Sequence, residues 1–258
     1  MTKPVSLIAI EGVPDIKPGD DLAAIISGCI DAMGIGLHSG DVLVLAHKIF
    51  SKAEGNIINL RTVDPSPEAA ELAKKLNKDP AKVEVVLKES RSVLRAFKHE
   101  TQNEGTMICE HKRGYISANA GVDASNADGT DTLITLPNDP DASLRRFCHH
   151  VFVRYGVEIG AVMTDTFGRP WRLGQVNVAI GLFAVPATRR EQGTDDAWGR
   201  PLLVTEPAFA DEIAAASGLV VRKAAKTPAV LFRGLEWHPN AESSGLDLLR
   251  NEKEDMFR

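Results

Sequence analysis

Apolar positions along this chain fall in short blocks whose spacing switches between continuous runs and a helical three-and-four repeat, the pattern of strands and helices taking turns. Ser6 to Ile10 reads as a strand, and Gly12-Val13-Pro14-Asp15-Ile16-Lys17-Pro18-Gly19 as a turn-rich loop. Asp20 or Asp21 can cap a helix to about Met33, because Leu22, Ile25, Ile26, Cys29 and Ile30 recur at helical spacing. Val42 to Ala46 is continuously apolar, which predicts a buried strand that delivers His47 through Gly55 at its carboxyl end. A strand at Ile57 to Leu60 follows, then helices at Pro67 to Leu76 and Pro80 to Lys88, each with Pro in its first turn. Thr106 to Ser117 alternates like a hairpin or sheet segment. Pro140 to Tyr155 sets Leu144, Phe147, Cys148 and Val151 on one helical face. Ile159 to Met163 is a further apolar run, expected to end at Thr164. An Ala-rich helix holding Asp211 to Ser217 and a buried strand at Ala229 to Phe232 complete the series.

Composition narrows the class without naming a chemistry. With 258 residues, 43% hydrophobic and 25% charged, the chain suits an ordinary globular protein of one large domain or two small ones. A net charge of −5 argues against broad nucleic-acid binding. The first residues run into an apolar stretch too brief for a signal segment, and no run of about 18 apolar residues occurs, so a cytoplasmic protein with no membrane partner is expected. Cys29, Cys109 and Cys148 lack paired metal-ligand spacing and are expected as reduced, partly buried thiols. No repeat or Gly/Ser linker separates domains, so any two would be interleaved.

Two segments carry the candidate chemistry. Thr164-Asp165-Thr166-Phe167-Gly168-Arg169-Pro170-Trp171-Arg172 follows the apolar run with a carboxylate, hydroxyls and two guanidiniums. Ala118 to Asn126 crowds small residues around Asp123, Ser125, Asn119 and Asn126. Carboxylate, amide and hydroxyl oxygens are hard ligands suited to Mg²⁺ or Mn²⁺ bridging phosphates, and small residues let a ligand approach the backbone. Lys52 beyond a strand end can act as a phosphate counter-charge, and no Walker A loop is present. Each has a plainer reading: a strand-end Asp as a turn or cap, Lys52 and Glu54 as an exposed pair, His47 as a packed histidine, and Trp171, Trp198 and Trp237 as core or interface anchors.

Taken together, Gly12-Val13-Pro14, Ser51 to Gly55, Glu89-Ser90 with Arg95, Ala118 to Asn126, Leu136 to Pro140, Thr164 to Arg172, Val178 to Gly181 and Gly199 to Leu202 resemble the coenzyme F420-0:L-glutamate ligase family over nearly the whole chain. The resemblance implies an α+β fold of two interleaved domains forming an intertwined homodimer. It allows a single region over 1–258 or a discontinuous split into 1–85 plus 195–258 (nucleotide and dimer) and 86–194 (metal and acceptor). The implied reaction is GTP-dependent ligation of L-glutamate to a carboxylic acid, coenzyme F420-0 or another acid, through an acyl phosphate. GTP is the implied co-substrate, with two Mg²⁺ or Mn²⁺ ions, and K⁺ is a further candidate cation. Carried over residue by residue, metal positions fall on Asp123, Asp165 and Thr166, and nucleotide positions on Gly12, Val13, Pro14, Asp15, His47, Lys52, Asn126 and Lys223. Arg169 and Arg172 offer planar forks to a phosphate or carboxylate.

Departures from the family pattern cluster late in the chain. Asn177 stands where Asp is usual before Val-Ala-Ile-Gly; Arg190 and Gln192 replace parts of an Asp-x-Arg-Gly pattern; Trp198 replaces Tyr, and Arg222 a Gly. The added positive charge would fit a different acceptor acid, or a nucleotide-binding relative that no longer ligates. A metal phosphohydrolase is a third reading, though it leaves the serial resemblance unused.

Overall fold

The computed structural model describes residues 4–124, 131–221 and 226–255. Its centre is a five-stranded mixed sheet in the order β1-β10-β2-β8-β9, built from β1 (Ser6–Ala9), β2 (Val42–Ala46), β8 (Gly160–Arg169), β9 (Arg172–Phe183) and β10 (Ala229–Arg233). β2 and β8 are parallel neighbours; the other pairings are antiparallel. Alternation along β2 explains its unbroken apolar run. Leu43 and Leu45 face a core completed by α1 (Leu22–Ala32), α2 (His47–Ala53) and α5 (Pro140–Tyr155), while Val42 and Val44 face α6 (Phe209–Ser217).

The remaining elements form a mixed α and β periphery. α3 (Pro67–Leu76) and α4 (Pro80–Glu89) pack Ala73, Leu76, Val83 and Val86 against Met107 and Cys109 of β5 (Thr106–His111). β5 lies between β4 (Ser90–Phe97) and β6 (Ile116–Ala118), and β3 (Ile57–Asn59) pairs with β7 (Thr132–Ile134). The fold is therefore α+β. β8 and β9, which the discontinuous division assigns to 86–194, hydrogen-bond in one sheet with β1, β2 and β10. All three cysteines are free, and burial raises the pKa of each thiol. Among the described residues no helix is long and apolar enough to cross a membrane.

Helix ends follow the local rules. Asp21 accepts from Ala24 N, Ser66 from Ala69 N and Asp139 from Ala142 N, each oxygen satisfying an amide that has no partner inside its helix. Several outcomes differ from the expectations, the unanticipated strands β7 and β9 among them. The segment after β2 is a helix starting at His47, β4 had no period that set it apart, and β8 does not end at Thr164 but runs on to Arg169. The physical reason for the last is the long partner β9, which keeps hydrogen-bonding β8 after β2 has stopped opposite Thr164.

Buried Asp141 ties the sheet to the C-terminal segment. Its carboxylate accepts from Leu182 N (2.7 Å), Gly245 N (3.0 Å) and Ser244 Oγ (2.6 Å), joining α5, β9 and the turn at Gly245–Leu248. Asp141→Ala leaves two buried amides without acceptors and is expected to cost about 3 kcal/mol. A urea titration with a lowered midpoint and unchanged slope checks this.

Candidate active site

Where β2 stops, a cavity of ≈ 330 Å³ opens between the first loop, α2, the middle of β8 and β9, and the stretch just before β10. Gly12 adopts φ +79°, a conformation that favours glycine, and turns the chain so that Val13, Pro14 and Asp15 form one wall. The exposed pair Lys226 Nζ to Asp15 (3.4 Å) links that wall to the segment preceding β10. His47, Lys48 and Lys52 line the α2 side, with Lys52 almost wholly buried.

The β8 wall is shaped by a bulge. Met163 pairs with Gly181 but Thr164 pairs with Ala179, so Ile180 is an extra residue on β9. The bulge bends β9 opposite the point where β8 brings Thr164, Asp165 and Thr166 to the cavity. Two contacts fix it: Tyr115 Oη donates to Ile180 O at 2.5 Å, and Gly181 lets α5 approach, since a Cβ there would lie 2.5 Å from Pro140 Cβ.

Asp165 is the electrostatic centre of the site. Its Oδ1 lies 3.3 Å from Nε2 of fully buried His47 and accepts from Thr166 N at 2.7 Å. His47 Nε2 is close to the carboxylate but off the line of a good hydrogen bond, and His47 Nδ1 contacts Ser51 Oγ at 3.3 Å. Burial by itself would push the Asp165 carboxyl up, but His47, then Lys48 and the Thr166 amide outweigh it and hold the group below the usual carboxylate range. Lys48 Nζ meets Asp123 Oδ2 at 2.8 Å, so one ammonium bears on the two carboxylates that the sequence marked separately. Behind them Thr166 Oγ1 donates to Asn177 Oδ1 at 3.0 Å, and Asn177 Nδ2 donates to Ser217 Oγ at 3.0 Å.

Val13, Pro14, Asp15, His47, Lys52, Asp165 and Thr166 thus share one cavity, with Gly12 at its approach and Asp123 joined to it through Lys48. Arg169 and Arg172 stand apart, at the tip of the β8–β9 hairpin; Arg169 Nη2 donates to Leu173 O. Asn126 and Lys223, like Arg222, lie outside the described residues. Arg190 pairs with Glu206 at 3.2 Å and Gln192 Nε2 donates to Leu203 O, both within the exposed excursion over 188–206. Lys48, Ser217 and Lys226 were not among the sequence candidates for binding, and Asn177 entered only as a departure from the family pattern. Of these, Lys48 had a usable signal, since it follows His47 directly at the end of a buried strand.

The donor set suits a hard divalent cation: the ionised Asp165 carboxylate, the Thr166 hydroxyl beside it and Asp123 across Lys48. Among the described residues no three His, Cys, Asp or Glu groups converge, so hydroxyl and substrate oxygens have to complete any such shell.

A model of the F420-0:gamma-glutamyl ligase family matches residues 12–234. The chain is 40% identical over 257 residues to the coenzyme F420:L-glutamate ligase of Methanothermobacter thermautotrophicus, covering 98% of this chain and 99% of that one. It is 41% identical over 260 residues to the protein of that name from Methanopyrus kandleri (97% and 98%), and 38% over 255 residues to that from Archaeoglobus fulgidus (98% and 96%).

The depressed Asp165 carboxyl predicts a pH dependence. Its contribution to stability is present above the unfolded carboxylate value, about 3.9, and is lost as pH falls through the lower native value. A ¹³C titration of the Asp165 carboxyl is expected to give a midpoint below about 3.9, and His47→Ala to raise it.

Proposed function

Because the chain belongs to the F420-0:gamma-glutamyl ligase family and is an enzyme that forms C–N bonds, we propose that it joins L-glutamate to the carboxylate of coenzyme F420-0, drawing on GTP with Mg²⁺ or Mn²⁺. The observation that carries this reading is the convergence of Val13 to Asp15, Lys52, Asp165 and Thr166, from separate segments, on one cavity. F420-0 is preferred over another acid because Arg190 and Gln192 find partners within their own excursion and add no unpaired charge to the cavity. Family membership itself supports glutamate ligation.

A carboxylate does not react with an amine at neutral pH, because the leaving group would be oxide. In the proposed reaction the acceptor carboxylate oxygen forms a bond to the γ-phosphorus of GTP while the bond from that phosphorus to the bridging oxygen breaks and GDP leaves. The free amine of glutamate then attacks the acyl carbon, the C–N bond forms, the C–O bond to phosphate breaks, and the nitrogen loses a proton to solvent. Asp123, Asp165 and Thr166 would hold the divalent ion, which when bound neutralises charge on the phosphoryl group in transfer. Val13, Pro14 and Asp15 line the nucleotide's wall, and buried Lys52 supplies a phosphate counter-charge. His47, with Lys48 and the Thr166 amide, holds the Asp165 carboxyl below the usual carboxylate range. Alignment and fixed charge do most of the work, with little acid or base chemistry required.

The proposal extends to assembly. Trp171 (83% exposed) and Leu173 (99%) occupy the tip of the β8–β9 hairpin, and an intertwined dimer would cover them while carrying Arg169 and Arg172 toward a second copy.

A ligation assay with F420-0, L-glutamate, GTP or ATP, and Mn²⁺ tests the function: a glutamylated product with GTP is expected, and phosphate release without product would overturn it. Asp123→Asn and Asp165→Asn should each cut turnover by about a hundredfold or more with the circular dichroism spectrum unchanged. For assembly, sedimentation should show a dimer that Leu173→Asp converts to monomer; a wild-type monomer at micromolar concentration counts against it.

A further inference from the structure

Deepening the reading of Asp123, Asp165 and Thr166 as metal-binding, on which it rests, we infer that Asn177 is a positioning residue that commits the Thr166 hydroxyl hydrogen to itself, so that the oxygen presents lone pairs to a divalent cation. α6 ends in a tightened turn. Gly218 N bonds Ala215 O, a shift to tighter helical spacing, and the Ser217 hydroxyl donates to Ala214 O at 2.6 Å. A serine has one hydroxyl hydrogen. With it spent on Ala214, Ser217 Oγ can only accept, and the Asn177 atom facing it at 3.0 Å must be the amide nitrogen.

That settles the other end of the amide. Oδ1 faces Thr166 Oγ1 at 3.0 Å, and because an amide oxygen cannot donate, the threonine hydrogen points at Asn177. Thr166 therefore offers oxygen lone pairs elsewhere, beside an Asp165 carboxylate held by its own amide contact at 2.7 Å. The chain of orientation runs from a helix end through two side chains to the cavity wall. Asn177 and Ser217 both line that cavity, so the relay borders it directly. A neutral amide orients Thr166 without adding negative charge, whereas a carboxylate at 177 would accept the same hydrogen bond and bring an extra charge.

The test is a Mn²⁺ titration of the full chain without nucleotide, read by electron paramagnetic resonance as loss of the free-ion six-line signal. Asn177→Leu removes the acceptor and is expected to weaken Mn²⁺ binding about tenfold, within the range seen when outer partners of metal ligands are removed. Asn177→Asp keeps the acceptor, adds charge, and is expected to tighten binding by about tenfold. Asp165→Asn runs alongside. If it binds Mn²⁺ as the wild type does, the metal reading fails and this inference fails with it. If Asp165→Asn loses Mn²⁺ while folded Asn177→Leu keeps wild-type affinity, the relay alone is wrong. Should Asn177→Leu not fold, Asn177→Ala, which also removes the acceptor, decides: weaker Mn²⁺ binding supports the inference, and wild-type affinity overturns it.

Discussion

Everything at this site depends on β2 stopping before β8 does. Up to Ala46 and Thr164 the two strands share a parallel ladder, with cores on both faces. Past that point β8 keeps its antiparallel partner β9 but, among the described residues, pairs with no strand on the β2 side, and the space left is where the cavity forms. The bulge at Ile180 falls at the same level. The sheet thus loses one partner and changes register within a residue of the carboxylate on which the site centres, Asp165.

A buried carboxylate is costly unless it is compensated. Here the compensation comes from the same strand end. α2 starts directly after β2, which puts His47 against Asp165 and Lys48 against Asp123, while Lys52 lies toward the other end of the same short helix. One helix therefore supplies the cationic side of the cavity and β8 the anionic side. A phosphate-bearing substrate with its cation is complementary to such a boundary, since each of its charges meets the opposite sign.

Much of the fold could be read from the sequence because the relevant signals are local. A Pro following Ser66, Asp79 and Asp139 marked three helix starts, and two-sided burial marked β2 and β10 as apolar runs. β4 gave no such signal, because its burial follows no period of two and its pairing with β5 is twice irregular. The continuation of β8 through Thr166 and Phe167 was hidden for a different reason: strand length there is set by a partner, not by composition. Of the residues flagged by type and motif, Val13 to Asp15, His47, Lys52, Asp165 and Thr166 came together while Arg169 and Arg172 did not, and Ser217 could not be found this way. An Ala-rich helix end looks structural until Asn177 is seen to lean on it.

The departures from the family pattern are physically unequal. Arg190 and Gln192 sit on an exposed excursion and are neutralised by Glu206 and a backbone carbonyl of that same excursion, so their identity changes little beyond it. Asn177 has no such isolation. Both ends of its amide are spoken for, one by the strand that carries Asp165 and one by α6, and it lines the cavity between them. A single charge added or removed there acts at short range in a half-buried site, where screening is weaker than on the open surface. Sequence divergence at position 177 therefore reaches the cavity wall at Thr166, whereas divergence at positions 190 and 192 bears on a surface segment.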